Sequence, residues 1–207
     1  NSNRDTLIAC VKALGCDYTD FGIVPDTLEA TRKTLRAVAE HHDLIVTSGG
    51  VSVGEEDHIK PAVQAEGQLD MWQIAIKPGK PLAFGTINRN QTDPSWFMGL
   101  PGNPVSSFVT FLLFVKPFIR ALQGAQTKDE TRYELEADFD WVKPDKRNEF
   151  LRVKINSAGK LELYPNQSSG VLTSAVWADG LADVPAGQVI RKGDKVSFIP
   201  FSQLLGY

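Results

Sequence analysis

At 207 residues, 42% hydrophobic and 23% charged, the chain is long enough to bury a sizeable core and lacks the composition of a disordered segment. A net charge of -3 and a pI near 5.6 exclude a general nucleic-acid binder, whose affinity rests on dense Lys and Arg patches, so any basic site must be local. The two cysteines, Cys10 and Cys16, fit neither a disulfide framework nor zinc spacing, and a reducing, cytoplasmic compartment is the default.

No secretory signal opens the chain. Asn1 is not a start methionine and the first segment already reads as a helix, so a fragment of a longer protein is expected. Ser2 or Asn3 is expected to cap that helix, whose Leu7, Ile8, Val11 and Leu14 repeat at helical spacing, and Gly15 to end it. A strand over 18–24 follows. Asp26 with Glu29 makes a capping-box-like start for a second helix carrying Leu28, Leu35 and Val38 to about Glu40. His41, His42 and His58 have no metal-ligand spacing.

Leu44-Ile45-Val46 is the clearest strand. A helix over 57–66 and strands over 72–76, 82–87 and 96–98 come next, then a helix over 105–122 that Pro117 should kink. Its most apolar part, Val105 to Val115, has 11 residues, short of the roughly 20 that span a bilayer, so no membrane contact is expected. From Gly124 a polar connector leads to β-like runs over 133–139, 150–155, 161–164 and 195–199, separated by turn signals. The expected architecture is α/β: a three-layer, mostly parallel sheet with helices on both faces over residues 1–125, its first strand missing, then a small all-β barrel without notable helices over 126–207.

Three loops carry the chemistry, and each follows a strand-like run, so all three are expected at the carboxyl edge of one parallel sheet, where such sheets bind ligands. The first runs through Ser48, Gly49, Gly50, Val51, Ser52 and Gly54 to the acids Glu55, Glu56 and Asp57. Its glycines allow close backbone approach, and a following helix start would aim N–H groups at phosphate. It is not a Walker A sequence, because Glu55 follows Gly54. Carboxylates beside a phosphate repel it unless a cation intervenes, which points to Mg²⁺ at Asp57; the competing role for these acids is to complement the helix dipole.

In the second loop, Lys77 and Lys80 flank Pro78-Gly79 and are expected to be held together as point charges for an oxyanion, against the alternative of a solvated turn. The third, Pro101-Gly102-Asn103-Pro104, is a rigid helix entry suited to a pocket wall. Further on, Arg152 and the 167–170 turn offer a guanidinium and hydroxyls, residues that β-domain turns often contain.

The run Thr47 to Gly54 with Asp57 nearby, then Ile76 to Pro81, then Leu100 to Ser106, with Asn166 to Ser174 and Ala178 to Leu181, resembles the molybdopterin molybdenumtransferases, the MoeA type that includes the gephyrin E domain. The resemblance spans nearly the whole chain. It implies that residues 48–54, Asp57, Lys77, Lys80 and residues 101–104 line an active site, with Arg152, Ser169 and Ser174 contributed by the second domain. It further implies insertion of molybdate into adenylylated molybdopterin, with Mg²⁺ and release of AMP.

Family members carry an opening strand with a Gly-Asp-Glu segment ahead of Asn1-Ser2-Asn3, and before it domains used for dimerisation and cleft closure. The 207 residues alone are therefore expected to be weak or inactive as an insertase. Implied partners are molybdopterin-AMP and molybdate, a second copy through those preceding domains, and a molybdopterin adenylyltransferase. A molybdopterin adenylyltransferase activity or a gephyrin-type scaffold are the alternatives; the appended β domain and the Pro-Gly-Asn-Pro form favour the insertase.

Overall fold

A computed structural model describes residues 2–51, 58–89, 93–126 and 130–205; the side chains at 71 and 72 also fall outside the description. The first helix, α1 (Ser2–Ala13), buries Cys10, presents Leu7, Val11 and Leu14 to the larger core, and is followed by Gly15 at φ 72°. Ser2 and Asn3 lie inside the helix and not ahead of it as caps. The strand expected over 18–24 does not form: the segment has no ladder partner among the described residues and leaves Tyr18, Phe21 and Ile23 exposed. A strand-like run becomes a strand only where a neighbour takes its N–H and C=O groups. In α2 (Leu28–Ala39) the cap is Thr27, whose hydroxyl accepts from Ala30 N at 3.2 Å, so the helix starts after Thr27 and not at Asp26.

The first sheet has the order β1 (Leu44–Ser48), β5 (Ser95–Leu100), β4 (Pro81–Ile87), β2 (Gly67–Gln73). Only β1–β5 is parallel, which corrects the mostly parallel expectation. Short connections force the rest: α3 (Ile59–Glu66) runs straight into β2, and β4 returns as β5 within a few residues, too few for a parallel crossover. Alternate strand residues face opposite ways. Leu44, Val46, Leu82, Met98 and Leu100 pack on the side of α1, whereas Ile45, Ala83, Ile87 and Phe97 meet α2 and α3. Beyond the other edge of β1, a cavity of about 1780 Å³ opens between α1, α2 and residues 16–26.

The long apolar run is α4 (Pro104–Thr110), a π-helical turn over Phe111–Val115, and α5 (Lys116–Leu122). The irregularity expected at Pro117 lies in the turn before it, where Lys116 N reaches back five residues to Phe111 O. A wide turn there relieves the clash of the proline ring with the carbonyl four residues earlier. By length and composition the 19-residue run could cross a membrane, and half of it is buried within this chain.

The second sheet draws on both halves of the chain. Its order is β3 (Ile76–Lys77), β7 (Asn148–Ile155), β9 (Gly180–Val184), β10 (Lys195–Pro200), β6 (Tyr133–Glu136), with β8 (Leu161–Leu163) on β7. Across the seam that a barrel would close there is an isolated bridge between Ala137 and Leu161, with Lys160 paired to Glu136 at 2.7 Å and Asn156 donating to Asp138 at 3.1 Å beside it. Two short helices, α6 (Thr173–Trp177) and α7 (Phe201–Leu205), and the central strand β9 are additions to the sequence reading. One hydrophobic cluster joins Ile76, Leu100, Val105 and Leu112 to Phe150, Leu181, Ile199 and Leu204.

Candidate functional site

The first and third loops meet at the carboxyl ends of β1 and β5, where Ser48 stands in register with Leu100 and Gly49 N donates to Leu100 O at 3.0 Å. Gly49 and Gly50 have φ of 88° and 69°, a conformation that favours glycine. Val51 is buried against Gly99, where an added Cβ would stand 2.5 Å from Val51 Cγ1. Pro101 is buried, Gly102 and Asn103 are exposed, and Pro104 opens α4. Ser52, Gly54 and Asp57, with Glu55 and Glu56, lie outside the described residues.

Asn3 fastens these loops together. Buried in the first turn of α1, it donates through Nδ2 to Ser48 Oγ and to Gly102 O, both at 2.7 Å. The Gly102 carbonyl can only accept, which fixes the amide's orientation and leaves Oδ1 buried without a hydrogen-bond partner. The sequence carried a signal for this residue: Asn3 occupies the same helical stripe as Leu7, Cys10 and Leu14, a polar side chain on an apolar face.

The second loop does not open from the same sheet as the other two. It links β3 of the second sheet to β4 of the first, and β4 runs antiparallel to β5, so Pro81 still begins at the edge where β1 and β5 end. Gly79 has φ 120°, and a Cβ there would lie 2.5 Å from the buried Thr110 Oγ1.

The two lysines are not held as one pair of charges. Lys80 is exposed and forms no ion pair among the described residues. The Lys77 ammonium lies 3.0 Å from Glu149 Oε1 and 3.4 Å from Asp145 Oδ2. Asp145 is gripped by Arg147 through both carboxylate oxygens, at 3.0 and 2.9 Å, and that guanidinium holds its carboxyl well below the usual range.

Arg152 is 1% exposed in the middle of β7, and its guanidinium meets only neutral acceptors: Ser174 Oγ at 3.1 Å, Phe150 O at 3.3 Å and Ser168 O at 3.3 Å. Burial pushes its pKa down to about 10, which leaves it charged at neutral pH. Buried charges are ordinarily paired, and this one faces no described carboxylate. Lys77, Arg152, Glu149, Gln167 and Ser168 line one cavity of about 320 Å³.

Ser174 is buried on Arg152. Ser169 reaches the third loop, where Asn103 Nδ2 donates to its hydroxyl at 3.0 Å and Val105 N to its carbonyl at 2.9 Å. The arrangement can attract an oxyanion beside a rigid, uncharged loop wall. It offers no described magnesium set: no group of three or more His, Cys, Asp or Glu stands together among the described residues. Asp145 and Glu149 are committed to Lys77, Arg147 and Trp141.

Residues 1–121 match the family model described as a probable molybdopterin binding domain, and residues 134–201 match that of the MoeA C-terminal region, domain IV. The chain is 36% identical, over 212 aligned residues, to a molybdopterin molybdenumtransferase of Haemophilus influenzae, covering 100% of this chain and 51% of that protein. To the molybdenum cofactor synthesis protein cinnamon of Drosophila melanogaster it is 34% identical, covering 90% and 31%. Among solved structures, a molybdopterin biosynthesis MoeA protein of Pyrococcus horikoshii superposes with a TM-score of 0.77 at 26% identity, covering 97% of this chain and 48% of that one. A molybdenum cofactor biosynthesis protein of Pyrococcus furiosus gives 0.74 at 25% identity, covering 97% and 64%. The chain thus spans about half the length of the molybdopterin molybdenumtransferases it matches and about a third of cinnamon.

Proposed function

The chain belongs to the family of probable molybdopterin binding domains joined to a MoeA C-terminal region, and from that premise we propose that it is the catalytic portion of a molybdopterin molybdenumtransferase. In this reading molybdate is inserted into adenylylated molybdopterin and AMP is released. Residues 1–125 bind the pterin nucleotide and 126–207 supply the second wall of the site.

The observation that carries the reading is the unpaired charge of Arg152. A buried guanidinium with neutral partners, on a residue that lines the same cavity as Lys77, supports a site for a small oxyanion. Lys80, exposed just ahead of β4, is free to add a point charge for the same anion. Ser48, Gly49, Gly50 and residues 101–104 form a wall that the pterin nucleotide lies against, and Asn103, Ser169 and Ser174 keep the two walls in register. Magnesium, expected at Asp57, would neutralise phosphate charge when bound. Dimerisation and contact with an adenylyltransferase belong to the same proposal. So does weak turnover by these 207 residues alone, since β1 has one strand neighbour among the described residues.

The test is a calorimetric titration of the chain with molybdate, with AMP release from adenylylated molybdopterin followed in parallel. Lys80→Ala should weaken molybdate binding about fivefold, the value of a partly solvated charge. Molybdate affinity that is the same in wild type and in Lys80→Ala would remove Lys80 from the site. Accumulation of an adenylylated product would favour an adenylyltransferase instead.

A further inference from the structure

We infer that Glu149 is a positioning residue for Lys77 and sets how tightly that lysine holds an oxyanion. Glu149 is 1% exposed and stands opposite Lys77 in the parallel pairing of β3 with β7. Its Oε2 is pinned by two donors, Trp141 Nε1 at 2.8 Å and Asp145 N at 2.9 Å. That leaves Oε1 turned to the Lys77 ammonium 3.0 Å away, in ion contact with no hydrogen bond. A carboxylate buried and fixed in this way cannot follow the lysine, so the lysine is held where the carboxylate is. Asp145 Oδ2, at 3.4 Å, is the second and weaker hold.

Charge around the cavity is therefore divided unequally. Lys77 is compensated by two carboxylates, whereas Arg152 is compensated by none. An anion entering the cavity must compete with Glu149 for Lys77, whereas Arg152 brings a charge with no carboxylate paired to it. Glu149 thus fixes the direction of the ammonium and keeps its affinity for anions moderate, so that a bound oxyanion can leave again. The inference rests on the oxyanion reading above and adds a residue that the family resemblance did not supply.

The probe is sodium molybdate, titrated calorimetrically into the 207-residue chain as wild type, Glu149→Gln, Lys77→Ala and the double variant. The amide oxygen introduced by Glu149→Gln can keep accepting from Trp141 and Asp145 while the negative charge is lost. E149Q should bind molybdate about fivefold tighter, the upper range for a half-solvated ion pair, and that gain should vanish in the Lys77→Ala background. In ¹³C-lysine NMR the Lys77 Cε signal should move and broaden in E149Q, because the fixed carboxylate that holds the ammonium 3.0 Å away is gone.

Unchanged or weaker binding by a folded E149Q, or the same gain without Lys77, overturns the inference. Failure of the wild type to bind molybdate defeats the oxyanion reading together with the affinity half of this one. The Lys77 Cε signal then decides the positioning half, and a signal indifferent to E149Q overturns that too. Should E149Q not fold, Asp145→Asn carries both measurements with smaller effects in the same direction.

Discussion

The two walls of the candidate site are built by different means. The wall at the ends of β1 and β5 is made of backbone: positive-φ glycines, prolines and one buried amide, Asn3, with no charged side chain among its described residues. The wall on β3 and β7 is made of charge: Lys77, Glu149, Asp145, Arg147 and Arg152 within a few residues of one pairing register. A backbone wall recognises shape and is stiff because its conformations are costly to leave. A charged wall recognises an ion, and its buried members stay tolerable only while their partners are in place.

That contrast can be broken at its joint. Gly79 lies between the walls, and Gly79→Ala forces a side chain onto φ 120° and into Thr110 Oγ1, so urea unfolding should show a loss of about 3 kcal/mol. On the charged side, Arg152→Met keeps volume and removes an unpaired ion. It should weaken molybdate binding about thirtyfold, roughly 2 kcal/mol, while the melting temperature changes little. A large drop in melting temperature with molybdate binding intact would make Arg152 a structural residue and erase the distinction.

Asn3→Ala tests the backbone side and should show the opposite signature. Stability should fall by about 1–2 kcal/mol as Gly102 O and Ser48 Oγ lose their buried donor, with amide exchange faster at Gly49, and molybdate binding should barely change. The smallest effect is in acid. Arg147 depresses Asp145 in the folded state, so its contribution is present above the unfolded carboxyl range and is lost as pH falls below about 4. Asp145→Asn should flatten the pH dependence of stability in that window, and an unaltered acid limb would show that the grip of Arg147 adds nothing to folding.

The backbone wall was legible in sequence because its signals are local. Gly49-Gly50 and Pro101-Gly102-Asn103-Pro104 announce special backbone conformations wherever they stand. The charged wall was only partly legible. Lys77 and Arg152 stood out as residues, but their partners depend on the pairing of β3 with β7, which joins positions more than 70 residues apart. Glu149 falls just ahead of the strand expected from Phe150, whereas β7 begins at Asn148.

Strand β9 likewise depends on contacts that sequence does not show. Its Asp183 reads as a turn residue, yet its carboxylate accepts from Asn148 Nδ2 at 2.6 Å and pairs with Arg132, contacts that exist only after the sheet forms. Over 18–24 the opposite holds: Tyr18, Phe21, Ile23 and Val24 are residues that suit a strand, and no described neighbour pairs with them.

The excursion of β3 into the second sheet has a consequence for how the molecule comes apart. Cut into 1–125 and 126–207, the chain would leave β3 without β7 and strip Phe150, Leu181 and Ile199 from the cluster that surrounds Val105 and Leu112. Neither piece keeps a finished interior, so the halves should melt together in one cooperative transition. Folding must then await contacts between segments remote in sequence, which makes the step that closes the site also the slow one.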